Sequence, residues 1–245
     1  VLITGPTGSG KTTTPYATLE KINNEKQKII TVEDPVEYQL DGITQIQANA
    51  SIGLSFAQGL RSIVRQDPDV LMIGEIRDHE TAEIAIESAL TGHLVFSTLH
   101  TNDAAGAVTR LQDMGVQGYL ISSSMLAIQA QRLVRRVCTD CAETHPLSTD
   151  EAAALDIDVN SISEVRRGSG CERCGETGYR GRVGLYELLI MSDAIRHHIA
   201  SGADANTIRD EAIIEGMKTL RQDALEKLAS GMTTPEEVVR VTRAI

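Results

Sequence analysis

A glycine-rich segment close to the start of this 245-residue chain ends in a lysine and a threonine. It fits the pattern G-x-x-x-x-G-K-[ST] without a mismatch and consists of Gly5, Pro6, Thr7, Gly8, Ser9, Gly10, Lys11 and Thr12. Glycines allow successive backbone N–H groups to turn inward around phosphate oxygens, while the lysine reaches the terminal phosphates and the threonine hydroxyl binds Mg²⁺. The segment therefore predicts a nucleotide phosphate as the first ligand, and an ordinary glycine-rich turn is the less favoured alternative.

Acidic residues follow two short apolar runs. Residues 70–73 are apolar and lead into Gly74 and Glu75. Beside a phosphate loop such an acid orients Mg²⁺ or polarises an attacking water, so we predict that Glu75 is the catalytic carboxylate. A second acidic group, also predicted to be catalytic, follows residues 29–32 and comprises Glu33, Asp34 and Glu37. A loop that caps the next element is the alternative for this group, because turns favour aspartate.

Two histidines flank a third apolar run. His93 precedes residues 94–98, and His100 follows them. Side chains seven residues apart around a strand can fall on opposite faces, which disfavours a shared metal ion. We predict that both histidines belong to the catalytic site and contact phosphate, and a structural hydrogen-bonding role is the alternative for each.

All four cysteines of the chain lie in two C-x-x-C pairs. The pairs are Cys138 with Cys141 and Cys171 with Cys174, and 29 residues separate them. Four thiolates arranged in this way can close a tetrahedral zinc site, so we predict Zn²⁺ in a structural role. Disulfides are the competing interpretation, which a cytosolic location disfavours.

These residues need elements that bring them together, and the sequence predicts alternating strands and helices. Apolar runs typical of strands cover residues 1–3, 29–32, 70–73 and 94–98, and helical spacing covers residues 11–20, 55–65 and 80–90. This alternation predicts an α/β fold, with a parallel sheet wrapped by helices and ligands at the carboxyl ends of its strands. Pro15 lies about one turn into the first predicted helix, where we expect a local irregularity because proline removes a backbone donor.

Bulk composition limits the kinds of partner. The formal net charge is −11, and the chain has no tryptophan, two phenylalanines and five tyrosines, which argues against a nucleic-acid partner. No apolar stretch approaches the roughly 18 residues that cross a bilayer, and the start lacks the layout of a signal peptide, so we expect a cytoplasmic location. Because the chain begins inside a predicted strand of the core, we expect it to be a fragment.

The chain changes character twice. We predict a nucleotide-binding core over residues 1–135, a tetracysteine zinc-binding module over residues 136–182 and a small C-terminal helical region over residues 183–245. Within the last region we expect Gly231 to end one helix and residues 234–237 to begin the next as a capping box.

Five segments together resemble the secretion ATPases, also called traffic ATPases. They are GPTGSGKTTT, TVEDPVEY, RQDPDVLMIGEIRD, LTGHLVFSTLHTND and the tetracysteine segment that ends in GCERCGETGYRGRVGLYELL. The resemblance spans nearly the whole chain. Within this superfamily the chain is most similar to the type II secretion system ATPases, because MGVQGYLISSS precedes residues 130–133. The type IV pilus-assembly ATPases are the close alternative, whereas the pilus-retraction relatives generally lack the four cysteines.

The resemblance implies a RecA-like P-loop NTPase core that forms a homo-hexamer on the cytoplasmic face of the bacterial inner membrane. It implies ATP hydrolysis coupled to moving an inner-membrane platform protein, with membrane association only through that partner and the docking proteins of the system. It also implies that residues 5–12 form the Walker A loop, residues 33–37 the acidic "Asp box", residues 74–75 the end of Walker B, and His93 and His100 the "His box".

Two departures limit what the resemblance implies. The family's N-terminal domains, which contribute arginines to the nucleotide site, are missing here, so we expect a fragment that binds ATP and hydrolyses it slowly. Pro15 stands where relatives usually carry an apolar residue such as leucine. Outside the family, the alternatives are a RecA-type nucleic-acid motor, which charge and aromatic content disfavour, and a nucleotide-gated assembly scaffold.

Overall fold

A computed structural model describes residues 1–24 and 26–242. The strands are β1 (Leu2–Thr4), β2 (Ile29–Glu33), β3 (Thr44–Gln47), β4 (Val70–Ile73), β5 (Leu94–Leu99), β6 (Ala127–Val137), β7 (Ala142–Pro146), β8 (Glu164–Gly168) and β9 (Tyr179–Ile190). The helices are α1 (Thr13–Ile22), α2 (Phe56–Ile63), α3 (His79–Leu90), α4 (Ala104–Asp113), α5 (Gly118–Ser124), α6 (Thr149–Ala154), α7 (Asp193–Ala200), α8 (Ala205–Ile214), α9 (Leu220–Ala229) and α10 (Pro235–Thr242). Over these described residues, no helix has both the length and the apolar character needed to span a membrane.

Seven strands form one sheet in the order β3-β2-β4-β5-β1-β6-β9. β1 pairs in parallel with β5 and β6, β4 pairs in parallel with β2 and β5, and β2 pairs in parallel with β3. The mostly parallel α/β fold predicted from the alternation of elements is therefore confirmed. Because β5 lies between β4 and β1, the residues that follow these three strands meet at one edge of the sheet.

The first compact unit of the chain consists of residues 1–130 and 188–217. Every residue of β2 and β4 is buried, as expected for strands with both faces covered. From α1, Tyr16 and Leu19 belong to a buried apolar cluster that also contains Met72 of β4. Removing these side chains from water anchors the helix that follows the glycine-rich segment.

The second compact unit consists of residues 131–187 and the segment from Lys218 onward. It contains the antiparallel pair β7 and β8, together with α6, α9 and α10. The backbone N–H of Val137 donates to the carbonyl of Met232 at 2.9 Å. Each compact unit thus combines segments that are distant in sequence, whereas each predicted domain is one continuous stretch of sequence. The predicted boundaries stay a prediction.

The elements around the glycine-rich segment are close to those predicted. β1, β2, β4 and β5 each agree with the predicted strands to within one residue at either end. The first helix begins at Thr13 rather than at Lys11, so Pro15 lies in its first turn, where backbone N–H groups have no partner inside the helix. The expected irregularity at Pro15 is therefore wrong, because proline costs no hydrogen bond at this position.

The C-terminal part differs more from the prediction. Small helices do follow Asp193, and Gly231, with a φ of 72°, ends α9 as predicted. Residues 179–190, however, form the long strand β9. The predicted helical region over residues 183–245 therefore starts within a strand.

Glu237 has a different role from the one predicted at the start of α10. Its buried carboxylate, predicted to complete a capping box, accepts a hydrogen bond from the backbone N–H of Arg135 at 2.7 Å. It also accepts from the guanidinium groups of Arg135 at 3.1 Å and Arg240 at 2.7 Å. Bonds to charged donors are stronger than a neutral cap, which accounts for this orientation.

Candidate functional site

The glycine-rich segment forms a loop between β1 and α1. Gly8 and Gly10 have φ values of 79° and 83°, a region of backbone conformation that other residues rarely adopt. The Lys11 ammonium folds across this loop and donates to the carbonyl of Gly5 at 2.7 Å and to that of Pro6 at 3.0 Å. Thr12 stands at the N-terminal end of α1, where unpaired N–H groups and the helix dipole favour anions.

His100 lies between the lysine of this loop and the acid that follows β4. Its Nδ1 is 3.5 Å from Lys11 Nζ, and its Nε2 is 3.6 Å from Glu75 Oε2. Burial and the nearby Lys11 charge lower the pKa of His100, against the opposing effect of Glu75. The imidazole is therefore mainly neutral at neutral pH, so one ring nitrogen can accept a hydrogen bond while the other donates one.

Backbone contacts with β5 hold Glu75 at the end of β4. The hydroxyl of Thr98 donates to the Gly74 carbonyl at 2.7 Å, and the N–H of Ile76 donates to the Thr98 carbonyl at 3.0 Å. The Glu75 side chain is 18% exposed, so its carboxylate remains accessible from the loop side of the sheet edge. The structure thus brings three of the predicted site residues, Lys11, Glu75 and His100, into one row.

Arg77 extends this row and was not predicted. Its guanidinium donates to Glu75 Oε1, and it lies 5.9 Å from the centre of the Phe56 ring. The hydrogen bond to Glu75 raises the pKa of Arg77, and the charges of Glu75 and Asp34 add to this effect. Its place two residues after Glu75 is a sequence signal for this contact, because alternate side chains of an extended segment point the same way.

The acidic group at the end of β2 divides into one buried and two exposed residues. Glu33 is 2% exposed, and its carboxylate accepts hydrogen bonds from the hydroxyls of Tyr16 and Thr31. Asp34 and Glu37 are exposed. Only the exposed pair can reach a bound ligand without rearrangement, whereas Glu33 is engaged inside the fold.

His93 lies far from the other predicted site residues. It precedes β5, whereas His100 follows it, so the length of the strand, roughly 20 Å, separates the two histidines. His93 Nδ1 is 2.9 Å from the carbonyl of Ser88 and 3.2 Å from the hydroxyl of Thr91. Within this chain the structure does not bring His93 to the phosphate loop, and its catalytic role stays a prediction.

The four cysteines converge in the second compact unit. All four Sγ atoms lie within 4.8 Å of one another. The sulfur of Cys171 is 3.9 Å from that of Cys138 and 3.7 Å from that of Cys174, and the Cys141 and Cys174 sulfurs are 3.9 Å apart. A tetrahedral site with metal–sulfur bonds of about 2.3 Å requires sulfur–sulfur distances of about 3.8 Å. The four thiols therefore fit a zinc ion, and none of them forms a disulfide.

Backbone donors support the thiolate form of one ligand. The N–H groups of Cys171 and Gly178 donate to the Cys174 sulfur at 3.2 and 3.3 Å. Burial alone would raise the pKa of Cys174, but these donors outweigh it and lower the pKa to about 6. Metals bind thiolates rather than thiols, so this environment favours Cys174 as a metal ligand near neutral pH.

The sequence of this chain is similar to those of secretion and pilus proteins. The family model described as "Type II/IV secretion system protein" matches residues 1–240. The type II secretion system protein E of Aeromonas hydrophila is 51% identical over 243 residues, which cover 99% of this chain and 48% of that protein. The type IV pilus assembly ATPase PilB of Thermus thermophilus is 51% identical over 98% of this chain and 27% of its own length.

A solved structure shares the fold of this chain. The crystal structure of the pilus retraction motor PilT with bound ADP superimposes with a TM-score of 0.71 at 32% identity, over 98% of this chain and 60% of that chain. The chain spans about half the length of curated relatives such as the Aeromonas protein.

Proposed function

The chain belongs to the family of type II/IV secretion system proteins, and on this basis we propose that it is the ATP-hydrolysing part of a motor for protein export. The type II secretion system is the favoured setting, because a protein E of that system is 51% identical over 99% of this chain. The observation that carries the proposal is the row formed by Lys11, His100 and Glu75, which joins the phosphate loop to a catalytic carboxylate.

The residues of this row divide the work of phosphoryl transfer to water. The backbone N–H groups of the loop and the Lys11 ammonium would hold the phosphates of ATP, and the Thr12 hydroxyl would bind Mg²⁺, which would supply charge neutralisation at the phosphates. Glu75 orients the attacking water and accepts its proton. His100 lies within reach of both Lys11 and Glu75. It would contact the terminal phosphate, so that a bound ATP also touches the partner of the Glu75 carboxylate. Asp34 and Glu37 are exposed carboxylates at the same edge of the sheet, and we assign them the supporting acidic role in this site.

We further propose that the four cysteines hold a structural Zn²⁺. All four ligand positions are filled by protein thiolates, which leaves no open position for a reacting group. The ion would stabilise the small segment that contains the end of β6, the start of β9 and the 3₁₀ turn Glu172–Cys174, in which no residue is buried.

The family membership also suggests how the protein assembles and where it is located. We propose a homo-hexamer on the cytoplasmic face of the inner membrane, bound there through platform and docking proteins rather than through lipid or nucleic acid. Assembly of type IV pili is the second candidate function, since a pilus assembly ATPase is as similar, at 51% identity. Exchanging the matching half of each full-length relative for this chain, and scoring protein export and piliation, would separate the two.

Replacing Glu75 by glutamine tests the catalytic assignment. We expect Glu75→Gln to lower the turnover of ATP at least about 100-fold, because the amide cannot accept a proton, while the affinity for a fluorescent ATP analogue changes less than about threefold. The matched control is Glu80→Gln, which alters an exposed acid that pairs with Arg61. Turnover by Glu75→Gln equal to that of the unmodified chain would refute the role of Glu75.

A further inference from the structure

We propose that Tyr16 is a positioning residue of the nucleotide site, and that its hydroxyl couples the phosphate loop to the acidic segment 34–37 through Glu33. The inference rests on the proposed function, since it concerns how the same site responds to a bound nucleotide. The observation behind it is a buried hydrogen-bond network that neither phosphate binding nor chemistry requires directly.

Three elements meet at the Tyr16 hydroxyl. It donates to Glu33 Oε2 at the end of β2 and accepts from the backbone N–H of Glu37 at 3.2 Å. The side-chain amide of Gln45 on β3 lies 3.4 Å from the same oxygen and donates to Glu33 Oε1 at 3.1 Å. The Tyr16 side chain is fully buried, so this network is shielded from water.

The carboxylate of Glu33 depends on these neutral donors. Among residues 1–24 and 26–242, no lysine, arginine or histidine forms an ion pair with it. A buried carboxylate that loses a donor keeps its full desolvation cost, so it moves or draws in water instead. Removing the Tyr16 hydroxyl therefore disturbs Glu33 and its neighbours more than the loss of one exposed hydrogen bond would.

Tyr16 is rigidly connected to the phosphate loop. It lies one helical turn after Thr12, and its N–H donates to the Thr12 carbonyl at 3.3 Å. A shift of the loop on binding phosphate therefore moves the hydroxyl with the helix. At the other end, the hydroxyl holds the backbone of Glu37, three residues after Asp34.

The acidic segment in turn influences the catalytic row through its charge. The charge of Asp34 acts on Arg77, which donates to the Glu75 carboxylate. Tyr16 thus ties the helix that follows the phosphate loop to segment 34–37, and the charge of Asp34 in that segment acts on Arg77, the partner of Glu75. A side chain that served only to fill the core would not need a hydroxyl at this position.

Hydrogen exchange with and without ADP and Mg²⁺ tests the coupling and does not depend on hydrolysis. In the unmodified chain we expect the nucleotide to slow exchange of the amides in residues 34–38. In Tyr16→Phe we expect at least about fivefold less of this added protection, while the dissociation constant for ADP changes less than about threefold. Glu33→Gln removes the other partner and is expected to have the same effect, and turnover of ATP should fall about five- to tenfold in both variants.

Tyr38→Phe is the matched control. Its ring lies 4.6 Å from that of Tyr16, and its hydroxyl bonds to none of the described residues, so we expect the same protection as in the unmodified chain. Full protection of residues 34–38 in Tyr16→Phe would overturn the inference, even if the variant melts at a lower temperature. Failure of the unmodified chain to bind ADP would instead overturn the proposed function, and the inference with it.

Discussion

Glu237 permits a quantitative test of what holds the second compact unit together. Its carboxylate is 1% exposed and accepts hydrogen bonds from the backbone and guanidinium of Arg135 and from the guanidinium of Arg240. Replacing it by glutamine keeps the shape of the side chain and removes the charge. Both guanidinium groups would then lie beside a neutral amide, which has one oxygen to accept hydrogen bonds where the carboxylate has two.

The size of the effect follows from the pKa of Glu237. Burial alone would raise this pKa, but the bonds from Arg240 and Arg135 outweigh it and lower the pKa from 4.5 to about 2. A difference of this size corresponds to about 3 kcal/mol of unfolding free energy. Because the folded pKa is the lower one, the stabilisation is complete above about pH 5 and is lost as the pH falls towards 2.

Urea unfolding followed by circular dichroism at pH 7, 5 and 3 measures this contribution. We expect Glu237→Gln to lower the free energy of unfolding by about 2 to 3 kcal/mol at pH 7 and by clearly less at pH 3. The control is Glu226→Gln, which alters an exposed pair with Lys218 and should cost less than about 1 kcal/mol. An equal loss of stability at pH 7 and pH 3 would show that packing, and not the charge of Glu237, is responsible.

Two further predictions concern the candidate sites. Metal analysis of the purified chain should find about one zinc ion per chain, and Cys174→Ser should lower both the zinc content and the melting temperature. An unchanged melting temperature after chelation would contradict a structural ion. Turnover of ATP should stay constant across neutral pH and fall only at pH values below the ordinary range of an imidazole, because the lowered pKa of His100 delays the protonation that would repel Lys11. His100→Gln should remove this pH dependence, whereas His79→Gln, which alters an exposed histidine on α3, should retain it.

The sequence was most informative where a local pattern decides the structure. The run of residues 70–73 is continuously apolar because β4 is buried on both faces, and this property is visible without knowledge of its neighbours. The glycine-rich loop is similar, since its backbone conformations require glycine at Gly8 and Gly10. With β4 and β5 known, the approach of Glu75 to His100 required only the rule that carboxyl ends of parallel strands meet.

Features that depend on distant residues were not predictable in this way. The burial of Glu33 by Tyr16 joins residues 17 positions apart, and an acid in a run of acids gives no local sign of being buried. The strand β9 was missed because its pairing partner in the sheet, β6, lies more than 40 residues earlier. Glu237 satisfied the pattern of a capping box, but Arg135, 102 positions earlier, and Arg240, one turn later on α10, offered stronger bonds.

The arrangement of the first compact unit has a consequence for the order of synthesis. Residues 188–217 complete this unit, and Arg209 pairs with Asp103 at 2.8 Å across 106 positions of sequence. Arg196 likewise donates to the carbonyl of Met125 at 2.9 Å. A growing chain that has emerged only through β6 therefore lacks α7 and α8, and the unit that contains the phosphate loop acquires these contacts only after α8 has been synthesised.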